Sequence, residues 1–286
     1  MRIYISVDME GIAGTFSWRQ DEGEWRPQVR RLMTLEVNAA IEGALEAGAT
    51  RIVVNDSHNY MANVDPELLH PAADLIQGTP KPLSMVEGVQ EGFDGAFFIG
   101  YHAAAGTAPA ILDHTYSSRS AWDVRINGRV VGETAVNAAV CGYFGVPVVL
   151  VSGDEAACRQ AAEWLPWART VAVKQAASRY AARSVHPGRA RQAIKEAARA
   201  VVAELAAQRT PAAPGPAGPH PFQLLRFPPP IVVELTTVHS GQADVASLMP
   251  GVQRTGPRTL RYQEDDYIRA FRALRAMITL AGASDS

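Results

Sequence analysis

Asp8 and Glu10 stand two residues apart where the first hydrophobic run, IYISVD (3–8), gives out, and Gly11 and Gly14 follow them. In an extended strand, positions i and i+2 point the same way. If the strand persists that far, Asp8 and Glu10 share a face with Tyr4 and Ser6, opposite Ile3, Ile5 and Val7. Two carboxylates at close range repel, and one is forced to take up a proton unless a cation lies between them. Two readings stand at this point: a metal ion between the acids, or two acids facing water on a loop. A second run, RIVVND (51–56), leads into Ser57 and His58, and a third, GAFFIGYH (95–102), ends in His102. A single histidine after a strand is ordinarily structural or superficial, but two at equivalent strand ends invite a common purpose. His114 follows twelve residues after His102, and Glu133 opens a helical segment, where a carboxylate is also a favourable partner for the helix dipole.

This set contains Asp, Glu and His and no cysteine. Such nitrogen and oxygen donors suit zinc, manganese or a related divalent ion, and thiolate ligation is excluded. A catalytic zinc ordinarily has three protein ligands and an open position. Asp8, Glu10, His58, His102 and Glu133 are five groups. That is too many for one open site and one short of two three-ligand sites, unless one carboxylate bridges. A pair of metals roughly 3.5–4 Å apart fits the count, and could activate a water and polarise a carbonyl. His114 is then free to serve as acid or base.

The elements that must position these groups read as an α/β fold, with a mostly parallel sheet flanked by helices and a smaller α+β C-terminal part. The apolar runs at 3–8, 51–56, 95–102, 146–153 and 170–175 are rich in Val, Ile and Phe, as strands covered on both faces are. Helical patterns lie between them. Residues 29–47 place Val29, Met33, Val37, Ala40, Ile41 and Ala44 on one face, and further helices are expected over about 133–143 and 154–164. Alternating strands and helices imply a parallel sheet, and in open sheets of this kind ligands bind at the carboxyl ends of the strands. AWDVRINGRVVGE interrupts the alternation as a hairpin turning at Asn127-Gly128.

The division expected is a metal-binding domain over 1–175 and a C-terminal part over 176–286. The latter opens with an Ala-rich helix over 187–208 carrying a solvated charged face. The segment 210–230 holds eight prolines and is expected as an exposed loop. A strand over 231–235, a short helix over 241–249, a strand near TLRYQ and a closing amphipathic helix over 264–280 complete the chain. His70, His186 and His220 are expected to be structural or peripheral, whereas His239 could approach the site from the C-terminal part.

Bulk properties exclude several classes. Among 286 residues, 27 basic and 29 acidic side chains are well mixed, with no basic stripe to follow a phosphate backbone, so nucleic acid is not an expected partner. No apolar run approaches the ~20 residues that span a bilayer, and the first residues lack a secretory pattern. Two scattered cysteines fit a reducing compartment, so a cytoplasmic protein is expected.

The stretches SVDMEGIAG, VNDSH, HPAADLI, MVEGV, GYHA, VGETAVNA and VAVKQ, in that order, resemble the zinc-dependent D-aminopeptidase family. The likeness covers Met1 to about Lys174 closely and continues more loosely through GQADVASLMPG (241–251). The family is described as dinuclear zinc peptidases that release N-terminal D-amino acids from short peptides. By this resemblance Asp8 is the bridging ligand, Glu10 and His58 complete one zinc, and His102 and Glu133 complete the other. His114 is the counterpart of the family's catalytic histidine. Two zinc ions per subunit are implied, with manganese or cobalt as substitutes, as is a closed ring-like homo-oligomer of ten chains. The chain departs from the family in the apolar loop AAAGTAPAILD (103–113) and in its proline-rich insertion, which bear on substrate choice rather than on the metals. A two-metal hydrolase of other amides or of phosphate esters is the enzymatic alternative. A ligand-binding module is the non-enzymatic one, and the presence of all five ligands speaks against it.

Overall fold

A computed structural model describes residues 1–209 and 222–285. In chain order its first half comprises strand β1 (Arg2–Val7), helix α1 (Arg26–Glu46), β2 (Arg51–Asp56), β3 (Ala73–Ile76), β4 (Gly95–Tyr101), β5 (Asp123–Ile126), β6 (Arg129–Val130) and α2 (Glu133–Tyr143). There follow β7 (Val148–Asp154), α3 (Glu155–Trp164), β8 (Arg169–Ser178), β9 (Ala181–Ser184) and α4 (Pro187–Arg209). Beyond the undescribed residues come β10 (Ile231–Thr236), α5 (Ser240–Ala246), β11 (Gln253–Arg254), β12 (Thr259–Glu264) and α6 (Tyr267–Gly282).

One sheet has seven strands in the order β3-β2-β1-β4-β7-β8-β9, parallel except where β9 folds back on β8. From β1 the chain builds outward through β2 and β3, then returns to the other flank of β1 with β4, β7 and β8. The order therefore reverses at β1, and the carboxyl ends of its neighbours open a crevice there. β4 and β7 are buried along their whole length, as central strands must be, which is why their sequences run apolar without alternation.

The two faces of β1 serve two cores. Ile3, Ile5 and Val7 pack with Val29, Met33 and Val37 of α1 and with Ile194 and Val201 of α4. Tyr4 faces the other way, into a core with Val136 and Val140 of α2 and Phe271 and Leu274 of α6. A fully buried Ile or Val of this kind contributes about 1.5–3 kcal/mol. α1 buries the apolar stripe expected of it and starts three residues earlier, at Arg26, with Pro27 in its first turn.

The second sheet is antiparallel, in the order β11-β12-β10-β5-β6. It takes the hairpin β5–β6, with Asn127 and Gly128 both at positive φ in its turn, from the middle of the chain and its other strands from the end. The division expected at 175/176 falls inside β8. We propose the boundary instead by sheet, with β5 and β6 assigned to the C-terminal unit.

The structure departs from or adds to the sequence reading at three points. β1 ends at Val7, and Glu10 and Gly11 lie in a turn, so simple alternation does not carry through to Glu10. HPAADLI supplies the short edge strand β3, whose four residues are too few to show periodicity. The proline-rich segment lies outside the described residues over 210–221, and its remainder is not a free loop. Phe222 is buried, Phe227 stacks on Tyr267 with ring centroids 5.8 Å apart, and Asn127 Nδ2 donates to Pro228 O at 2.9 Å. Phe222 packs in the core that holds α1 and α4, whereas Leu225 and Phe227 pack against the core that holds α2 and α6.

Candidate metal centre

Asp8 follows β1, His58 follows β2 and His102 follows β4, so three neighbouring parallel strands deliver one group each to the crevice. A close approach of backbones sets their spacing. Asp8 N donates to Ile99 O at 2.8 Å and Gly11 N to Gly100 O at 2.7 Å. A Cβ on Gly11 would collide with the Tyr101 carbonyl, and one on Gly100, at φ +73°, with the Asp8 carbonyl. Gly11 thus permits contact between strand ends rather than opening the mouth of the site. Lys174 of β8, fully buried, donates to the carbonyls of Glu10, Ile12 and Thr15 and pins the turn from beneath. Glu133 arrives on the first residue of α2, and His114 on the loop after β4.

The side chains converge in two groups. His58 Nδ1 lies 2.9 Å from Glu10 Oε2 and 3.2 Å from Asp8 Oδ1. His102 Nε2 lies 3.4 Å from Asp8 Oδ2 and 3.3 Å from Glu133 Oε1. One carboxylate, Asp8, therefore faces both groups with a different oxygen toward each. His114 stacks on His102 with ring centroids 4.0 Å apart, and its Nε2 is 3.6 Å from Glu133 Oε1 and 3.9 Å from Glu10 Oε1. The cluster is almost sealed, with Asp8, Glu10, His102 and Glu133 each no more than 3% exposed.

The donor chemistry fits a pair of cations. His102 donates Nδ1–H to Ala103 O at 2.9 Å, so that in its neutral form the ring would turn a lone pair on Nε2 toward two carboxylates. That nitrogen is buried and has no hydrogen-bond partner among the described residues. Three buried acids and two buried histidines face one another, with no lysine or arginine side chain hydrogen-bonded to any of the three carboxylates among the described residues. The protonation equilibria register the conflict. Burial and the neighbouring Glu10 raise Asp8 from 3.8 to about 8. Burial would depress His102, yet Glu133 beside it raises it to about 10. Burial and the adjacent His102 lower His114. Two divalent ions would resolve these frustrations at once, Asp8, Glu10 and His58 lining one position and Asp8, His102 and Glu133 the other.

All six residues singled out in the sequence meet here. Three more groups were not legible there. Asp21 Oδ2 lies 3.3 Å from His58 Nε2 and fixes the ring from behind, as carboxylates behind metal-binding histidines do. Trp18 Nε1 donates to Glu10 Oε1 at 2.8 Å, and Tyr116 N to Glu133 Oε1 at 2.6 Å, so Glu10 and Glu133 each have one oxygen restrained. None sits at a strand end or a regular spacing. His239 instead caps α5, and does not line the cavity at the centre.

The cluster forms the floor of a cleft of about 550 Å³, walled by residues that include Trp18, Asp21, Tyr60, Met85, Tyr116 and Arg275. The family model for D-aminopeptidase matches residues 1–276. A D-aminopeptidase of Bacillus subtilis (strain 168) is 40% identical over 289 residues, an alignment spanning 98% of each chain. Among solved structures, the Zn-dependent D-aminopeptidase DppA from Bacillus subtilis, described as a self-compartmentalizing protease, superposes with a TM-score of 0.89 at 38% identity. That match covers 99% of this chain and 98% of the other.

Proposed function

The chain belongs to the D-aminopeptidase family, and from that premise we propose that it removes N-terminal D-residues from short peptides at a two-zinc centre. It is a metal-dependent aminopeptidase, a hydrolase of peptide bonds. The observation that carries the two-ion reading is Asp8, which turns one oxygen to His58 and the other to His102. Asp8, Glu10 and His58 would hold one ion, and Asp8, His102 and Glu133 the other. When bound, such a pair supplies an activated water and withdraws charge from the scissile carbonyl.

The protein's own groups do the rest. His114 donates Nδ1–H to Leu112 O at 2.8 Å, which leaves Nε2 as the basic atom facing the cleft. Burial and His102 favour its neutral form, so it is available at neutral pH to take a proton and pass it to the leaving amine. Asp21, Trp18 and the Tyr116 amide hold His58, Glu10 and Glu133 in place, which spares reorganisation during turnover. The near-complete burial of the floor excludes bulk water from the acids.

A ring-shaped homo-oligomer, ten chains by family resemblance, belongs to the same reading. It is supported by the self-compartmentalizing character of the similar enzyme and by large apolar side chains left exposed, such as Trp122 at 60% and Leu248 at 79%. We place the protein in the cytoplasm, in keeping with two buried free thiols, Cys141 and Cys158. Among the described residues no helix is long and apolar enough to cross a membrane. Hydrolysis of matched D- and L-alanyl amides, with zinc, manganese or cobalt supplied, tests the assignment. The D-amide should be cleaved preferentially, and equal rates on both would remove the D-specific reading.

A further inference from the structure

The cleft carries both signs of charge. Its lining holds the acidic cluster together with Asp21 and Glu22, and also Tyr116, Arg119 and Arg275. A third arginine in the lining, Arg26, lies 3.8 Å from Asp21 and belongs with the acids. Arg275 is different. It projects from α6 and is half-buried, with its guanidinium carbon 4.2 Å from the centroid of the Tyr116 ring. It makes no ion pair or side-chain hydrogen bond among the described residues. A guanidinium stacked on a ring in this way keeps its edge donors free for a planar acceptor.

Tyr116 ties that cation to the metal cluster. Its amide donates to Glu133 Oε1 at 2.6 Å, its hydroxyl to Asn137 Oδ1 at 2.7 Å, and its φ of +61° is one that few non-glycine residues adopt. Held by two hydrogen bonds, Tyr116 fixes the Arg275 head relative to Glu133. Arg119 adds a second guanidinium, exposed at the rim and without an acidic partner among the described residues. A half-buried arginine with no side-chain partner among the described residues keeps its donors available to an anion that enters the cleft.

We propose that Arg275, supported by Arg119 at the rim, is the subsite for the C-terminal carboxylate of the substrate. The preferred substrates are then peptides of a few residues with a free C-terminus, whose oppositely charged ends find partners among the acids and the arginines of the cleft lining. This rests on the aminopeptidase reading and sharpens it, because a carboxylate anchor measures peptide length from the scissile bond. Each added residue moves the carboxylate by about 3.5 Å, so lengthening the peptide carries it past a fixed anchor. A bidentate guanidinium–carboxylate pair gives roughly 10–100-fold discrimination.

The test compares D-alanyl-D-alanine with its C-terminal amide in the zinc-loaded protein, as the ratio of kcat/KM for acid over amide. The wild-type ratio should be at least about tenfold, fall toward unity in Arg275→Ala, mainly through KM, and recover in part in Arg275→Lys. Lengthening the peptide to five residues should lower it in the wild type alone. A binding readout independent of turnover uses calorimetric titration of acid and amide into His114→Ala, with and without Arg275→Ala, and should give the same ratio in Kd. A ratio that Arg275→Ala leaves unchanged overturns the subsite while the aminopeptidase reading stands. Failure of the wild type to cleave either compound strikes that reading, and the subsite with it.

Discussion

Asp8 is the residue on which the centre turns, because a carboxylate shared by two histidines through different oxygens is costly to bury without cations. Asp21 acts one step behind it. Replacing Asp21 with Asn keeps the volume but weakens the acceptor that orients His58, and should lower zinc affinity about 10–100-fold, read by competition with a chromogenic chelator. An unchanged affinity would mean that His58 is held without it. The ligand-type residues were legible in the sequence because they sit where apolar runs end and because their types share one chemistry. Asp21 and Trp18 were not, since they reach His58 and Glu10 from a single 3-10 turn, Trp18–Asp21, too short to show a periodic pattern. Arg275 was hidden for another reason: on an amphipathic helix a charged residue reads as solvent-facing, and only the tertiary packing of α6 turns it toward the cleft.

At the scale of elements, the parallel sheet places three strand ends side by side, and the alternating apolar runs announced it. What the sequence concealed was the reversal at β1, which depends on strand order and not on local pattern, and the turn after Val7, which replaces alternation by contacts to β4 and Lys174. α1 also steadies this turn. Glu36 on its buried face accepts from Ala13 N at 2.8 Å, and burial raises its carboxyl from 4.5 to about 7. The folded chain therefore binds that proton more tightly than the unfolded one. The contribution is complete below the unfolded value and is lost as pH rises through about 7. Glu36→Gln should remove this dependence, so that its stability relative to the wild type rises by about 2–3 kcal/mol between roughly pH 5 and 8.5 in denaturant titrations. A constant difference across that range would show that Glu36 stays ionised, paired with the nearby Lys174.

At the scale of the whole molecule, the two sheets interlock, since the antiparallel one draws β5 and β6 from between β4 and β7 of the other. Composition and the chain-order pattern suggested a cut after 175, whereas the hairpin's true partner, β10, lies a hundred residues downstream and leaves no local trace. The exposed Trp122 and Leu248 belong at this scale too, as candidate contacts between copies. Sedimentation velocity should find the wild type as one large closed species of about ten chains, and Leu248→Glu together with Trp122→Glu should shift it to smaller species. A wild-type monomer would remove the assembly from the account.

Five residues are proposed to hold two ions while His114 stands apart as the proton carrier, and elemental analysis of purified protein separates the two roles. Close to two zinc ions per chain are expected in the wild type and in His114→Ala, with the latter losing about 10²–10⁴-fold in turnover, and clear loss of zinc in His58→Ala and in His102→Ala. Full zinc occupancy in the His58 and His102 variants would contradict that assignment.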